Sequence, residues 1–117
     1  MATAEVLIDS DVLIDHLRGD RRLSTDLQHL GVSVVSRCEL FAGRDDPDRL
    51  RRFLAAMIDL PIDVTIAEFA GRTRRDTAIA TPDALIAATA LTHRIPLMTR
   101  NRRHFDRVAD LRVIAPG

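Results

Sequence analysis

Three acidic residues stand where the surrounding apolar pattern would exclude a charge. Asp9 follows Val6-Leu7-Ile8, a run of branched apolar residues with the composition of a strand buried on both faces. Glu39 is flanked by Cys38, Leu40 and Phe41, in a helix expected directly after a second strand. Asp83 follows Thr81-Pro82 at the start of a helix rich in alanine and leucine. In open parallel sheets, ligands bind just past the carboxyl ends of the strands, so all three could face one site. Carboxylates gathered in a cleft repel one another, and at least one keeps a proton unless a cation is present. Hard oxygen donors of this kind suit Mg²⁺ or Mn²⁺. Such an ion acidifies water and neutralises charge on a phosphoryl oxygen. Each residue also has a plainer role open to it. Asp9 and Asp83 could serve helix N-termini, and Glu39 could pair with an arginine on a solvated face.

The elements that would position these residues alternate between strand and helix. After Val6–Ile8, the apolar residues Val12, Leu13, Ile14 and Leu17 recur near helical spacing, and Arg18-Gly19 supplies a stop. Leu23, Leu27 and Leu30 predict a short amphipathic helix over Asp20–Leu30, closed by Gly31. Val32–Val35 reads as a second strand, with Ser36 capping a helix over Arg37–Ala42 that Gly43 ends. Pro47 opens a helix with Leu50, Phe53, Leu54, Met57 and Ile58 on one face. Leu60–Val64 contains Pro61 and is at best an edge strand. Helices over Thr65–Arg75 and Ala84–His93, a strand at Pro96–Thr99, a helix over Asn101–Val108 and a strand at Leu111–Ile114 complete the pattern. The alternation predicts a parallel α/β sheet covered by helices on both faces.

A chain of 117 residues is long enough for one such domain, 1–117, and too short for a second. Net charge is zero, so no global field marks a nucleic-acid partner. All 17 basic residues are arginine, however, and guanidinium forks suit phosphates. Arg100, Arg102, Arg103 and Arg107 follow a strand end and are the best candidates for phosphate-backbone contacts. With four Phe and neither Trp nor Tyr, no base-stacking platform is evident. The lone cysteine, Cys38, excludes an internal disulfide and reads as a small buried hydrophobe. The four histidines lack zinc-ligand spacing; His104 alone is close enough to the proposed site to count as a substrate contact. Neither a secretory signal nor an apolar run of about 18 residues is present, which makes the cytoplasm the default location.

VLIDSDVLIDHLRGD, then VSVVSRCELFAG, then TPDALIAATALTHRIPLMTRNRRHF resembles the PIN-domain nucleases, and more narrowly the VapC-type toxins of bacterial toxin–antitoxin pairs. The likeness runs from about residue 6 to residue 114, and the third block is its most specific part. It implies a three-layer α/β/α fold with a central, mostly parallel sheet of four to five strands. It also implies that Asp9, Glu39 and Asp83 bind metal, and that Ser10 and Thr99 order water at the ion. A further acidic residue is common in the family around positions 101–104. Here Asn101-Arg102-Arg103-His104 offers only the neutral oxygen of Asn101, so one firmly held ion is expected. The implied reaction is metal-dependent hydrolysis of RNA. The implied partners are a VapB-type antitoxin and a second copy of the chain, with DNA reached only through the antitoxin. The helix beginning at Pro47 is a candidate surface for either protein partner.

Two other readings compete. Asp9-Ser10-Asp11 after a strand also suggests an aspartate-based phosphatase or phospho-receiver, but those chemistries use a lysine and this chain has none. A PIN-like module that binds partners without catalysis would account for the missing fourth carboxylate.

Overall fold

The computed structural model describes residues 3–20, 23 and 26–116. Among the described residues, five strands form one sheet in the order β3-β2-β1-β4-β5, every pair parallel. The strands are β1 (Val6–Ile8), β2 (Leu30–Ser33), β3 (Ile58–Leu60), β4 (Leu97–Met98) and β5 (Val113–Ile114). The helices are α1 (Ser10–Arg18), α2 (Val34–Ala42), α3 (Pro47–Ala55), α4 (Val64–Thr77) and α5 (Thr81–His93). Because successive strand residues face opposite sides, β1 feeds two cores. Leu7 packs with Ile66, Ala70, Ala84 and Ala87 of α4 and α5, whereas Ile8 packs with Val12, Leu13, Leu40 and Leu50 of α1, α2 and α3. These are the three layers expected.

The chain runs outward from β1 through β2 to β3, then returns to the other side of β1 to form β4 and β5. The β1–β4 junction is therefore the point where strand order reverses, the usual place for a ligand crevice in such sheets. Asp9 follows β1 and Thr99 follows β4 on the two sides of that junction.

Several boundaries differ from the sequence reading, each for a tertiary reason. Leu30 and Gly31 were expected to end a helix, but they pair with Val6 and Leu7 and so belong to β2. Only a 3₁₀ turn, Leu27–His29, precedes them, and part of the expected Asp20–Leu30 helix lies outside the described residues. Ser33, not Ser36, caps α2 by accepting from the Val35 N–H at 3.0 Å, which turns Val34 and Val35 from strand into helix. The edge strand sits at Ile58–Leu60 rather than Leu60–Val64, because Ile58 and Leu60 pair with Gly31 and Ser33. That pairing also removes Ile58 from the α3 face, which ends at Ala55. Leu50 and Leu54 of α3 are core residues, so the apolar stripe once open to a partner is occupied by packing. Cys38 is exposed rather than buried, since α2 turns Ser36 and Leu40 inward instead. Asn101–Val108 forms only a 3₁₀ turn, Arg102–Phe105, anchored by buried Phe105.

Candidate active site

Asp9 ends β1 and caps α1. Its backbone is extended (φ −73°, ψ 155°) and its Oδ1 accepts from the Ser10 N–H at 2.8 Å. The plain capping role and the functional one thus coincide in one side chain, which is only 6% exposed. Its other oxygen accepts from the hydroxyl of fully buried Thr99 at 2.8 Å, across the switch point of the sheet. Ser10 links Asp9 to the next carboxylate, since its hydroxyl lies 3.4 Å from Glu39 Oε1. Glu39 is exposed, just over one turn into α2. Asp83 lies in the first turn of α5, half-buried, with its Oδ2 3.4 Å from Nδ1 of His104.

The three expected carboxylates all resist ionisation. Burial is the main cause at Asp9, pushing its pKa from 3.8 to about 6; the negative charges of Asp11 and Asp83 add to this, and the Thr99 and Ser10 bonds oppose it. Glu39, though exposed as a residue, is raised by partial burial of its carboxyl and by Asp83 and Asp11, against the Ser10 bond. Asp83 is raised by burial and by Asp11, while His104 opposes. Asp11 thus acts on all three carboxylates, and Asp83 on Asp9 and Glu39. Among the described residues, no three His, Cys, Asp or Glu side chains stand close enough to clasp an ion as they are. The donors ring the same strand ends without being drawn together. Hard oxygens that repel one another and resist ionisation are nonetheless the donor set a Mg²⁺- or Mn²⁺-sized cation fits.

Asp11 was missing from the expected site. Its Oδ2 accepts from the Arg100 N–H at 3.1 Å and lies 3.4 Å from the Thr99 hydroxyl, while its Oδ1 is buried with no hydrogen-bond partner. A buried, unpartnered carboxylate oxygen is costly and is most at home near a cation. One turn further along α1, buried Asp15 receives the Arg100 guanidinium, Nε to Oδ2 at 2.9 Å. The sequence carried a signal for both: aspartates four residues apart on one helix face repel, so a cation should lie between them. Arg100 is thus tied to α1. Arg102, Arg103 and Arg107 are exposed on and beyond the 3₁₀ turn after β4. Asn101 is exposed too, and its N–H donates to the Thr99 hydroxyl at 3.1 Å.

Residues 6–111 match the PIN domain family. The chain belongs to that family. This PIN domain is 39% identical over 120 residues to Ribonuclease VapC10 of Mycobacterium tuberculosis, a match covering 92% of this chain and 90% of the relative. Ribonuclease VapC19 of the same species is 33% identical over 119 residues, 90% of this chain and 95% of its own. Among solved structures, a toxin–antitoxin complex from Klebsiella pneumoniae superposes with a TM-score of 0.82 at 30% identity, covering 96% of this chain and 98% of the matched chain. No helix among the described residues is long and apolar enough to cross a membrane.

Proposed function

We propose that this PIN domain is a divalent-metal-dependent endoribonuclease, the toxin of a VapBC-type toxin–antitoxin pair. The observation that carries the reading is the set of carboxylates gathered at the sheet's switch point, Asp9, Glu39 and Asp83, each with a pKa raised by burial and by the charge of Asp11. These three would hold Mg²⁺ or Mn²⁺. When bound, the ion would acidify water for attack on phosphorus and neutralise charge on the phosphoryl oxygen. The Thr99 hydroxyl fixes one Asp9 oxygen, leaving the carboxylate a single orientation. Ser10 holds Asp9 and Glu39 in register through its N–H and hydroxyl. Asn101 stands beside Thr99 with a neutral oxygen to offer. Arg102, Arg103 and Arg107, all exposed, and His104 beside Asp83 would receive RNA phosphates.

The names of the relatives support RNA as substrate, and the Klebsiella pneumoniae complex supports an antitoxin partner, which for a VapC-like chain would be of VapB type. A homodimer in the cytoplasm, touching DNA only through the antitoxin, completes the proposal. The test is cleavage of total cellular RNA by antitoxin-free protein with Mg²⁺, Mn²⁺ or EDTA, beside Asp83→Asn. Discrete metal-dependent fragments, absent with the variant, are the expected result. A second reading is favoured by the carboxylate-free stretch at 101–104 and by donors not already drawn together: a partner-binding PIN domain without catalysis. Folded protein that cleaves nothing with either metal would decide for it.

A further inference from the structure

Of the arginines expected on RNA, Arg100 is engaged elsewhere. Its guanidinium Nε lies 2.9 Å from Asp15 Oδ2 and 4.0 Å from Asp11 Oδ2. Its backbone N–H donates to Asp11 at 3.1 Å. The neighbouring Thr99 hydroxyl donates to Asp9, and the following Asn101 N–H donates back to that hydroxyl. The contacts form a closed circuit. It runs from Asp9 along α1 to Asp15, across to Arg100, and back through Thr99 to Asp9. The Asp15 side chain is only 11% exposed, and a carboxylate that deep needs a fixed counter-charge. The helix that carries it is rigidly set, capped by Asp9 at one end and by left-handed Gly19 (φ 78°) at the other.

We propose that Arg100 is a positioning residue rather than an RNA contact: clasped by Asp15 and Asp11, it pins the loop after β4 to α1 and so holds the Thr99 hydroxyl on Asp9. A guanidinium suits this task, because it stays charged when partly buried and is more weakly hydrated than an ammonium, so it enters an ion pair with a buried carboxylate at lower cost. The consequence for turnover rests on the nuclease reading above; the clasp itself does not.

The experiment compares Arg100→Gln, Asp15→Asn and the double variant by amide hydrogen exchange, RNA cleavage kinetics and melting. The double variant removes both members of the Arg100–Asp15 pair and leaves neither of those two charges unpaired, so it should fold even where a single change does not. Faster exchange at the Arg100 and Asn101 amides, confined to that loop, is expected in all three. kcat should fall by roughly tenfold to a hundredfold, the scale of a displaced active-site group. KM and the salt dependence of RNA binding stay unchanged, and the double variant is no worse than either single one. Asp15 carries no positive charge and cannot hold a phosphate, so equal losses at 15 and 100 separate the two roles. A purely structural role would instead spread faster exchange over the whole fold and leave kcat of the folded fraction intact. Native protection of those amides in the double variant would overturn the clasp. So would an Arg100→Gln protein with unchanged kcat, raised KM and a salt slope about one unit lower, as losing one phosphate contact gives. Failure of the wild type to cleave RNA would refute the nuclease reading, and the exchange data would still decide the clasp.

Discussion

Asp9→Asn should stabilise the metal-free protein while abolishing its proposed activity. In the folded chain the Asp9 pKa is about 6 against 3.8, chiefly because the group is buried. At 1.36 kcal/mol per pH unit, ionising it costs about 3 kcal/mol more in the folded than in the unfolded state. As pH rises from about 4, the unfolded chain releases this proton first, so stability falls until pH passes 6 and the full deficit is present. Below 3.8 both states hold the proton and the deficit vanishes. Asparagine keeps the shape and the capping oxygen for the Ser10 N–H, and it caps a helix about as well as aspartate. It loses the charged character of the Thr99 bond, worth about 1 kcal/mol. The net gain above pH 7 is therefore about 1–2 kcal/mol, or roughly 4–8 °C in Tm for a domain of this size. Urea denaturation in EDTA at pH 7.5 and pH 4.5 reads it directly. Saturating Mg²⁺ or Mn²⁺ should stabilise the wild type by mass action and leave Asp9→Asn nearly unmoved. A variant no more stable than wild type at pH 7.5 in EDTA, or a gain that fails to shrink towards pH 4.5, would refute the reasoning.

Two further outcomes test the surface and the sheet. Arg102→Ala, Arg103→Ala and Arg107→Ala should each weaken RNA binding and lower the salt slope by about one, without altering melting; filter binding across a salt series checks this. Gly31→Ala should cost about 1–3 kcal/mol by urea denaturation, since a Cβ there would meet Leu60 Cδ1 at 2.9 Å and Ala4 Cβ at 3.0 Å between tightly paired strands. Stability equal to wild type would mean that β1, β2 and β3 pack more loosely than their register implies.

The fold class was legible because it depends on periodicity. Apolar triplets too short for helices alternate with amphipathic runs, and only a parallel sheet clad on both faces buries both. The α1 stop at Gly19 and the α3 start at Pro47 were legible too, since each is dictated by the backbone freedom of one residue. Boundaries failed where a strand partner, and not local preference, decides. Val34 and Val35 favour strand by composition, but β2 is spent at Ser33 once Leu30 and Gly31 pair with β1. No local pattern reports a register set by a segment more than twenty residues away.

The same division runs through the candidate site. The sequence by itself determined which charged side chains interrupt apolar stretches of the chain: Asp9 after a core strand, Glu39 between apolar neighbours, Asp83 at a helix start. A carboxylate as deeply buried as Asp9 is tolerated only if something compensates its burial. Only the tertiary structure decided how they are held. The switch point of the sheet brings Thr99, ninety residues distant, onto Asp9, and α1 carries Asp15 under Arg100. An arginine that the sequence offers to phosphates is thereby engaged by two aspartates, because hydrogen bonds and ion pairs depend on distance in space, which the order of residues along the chain does not specify.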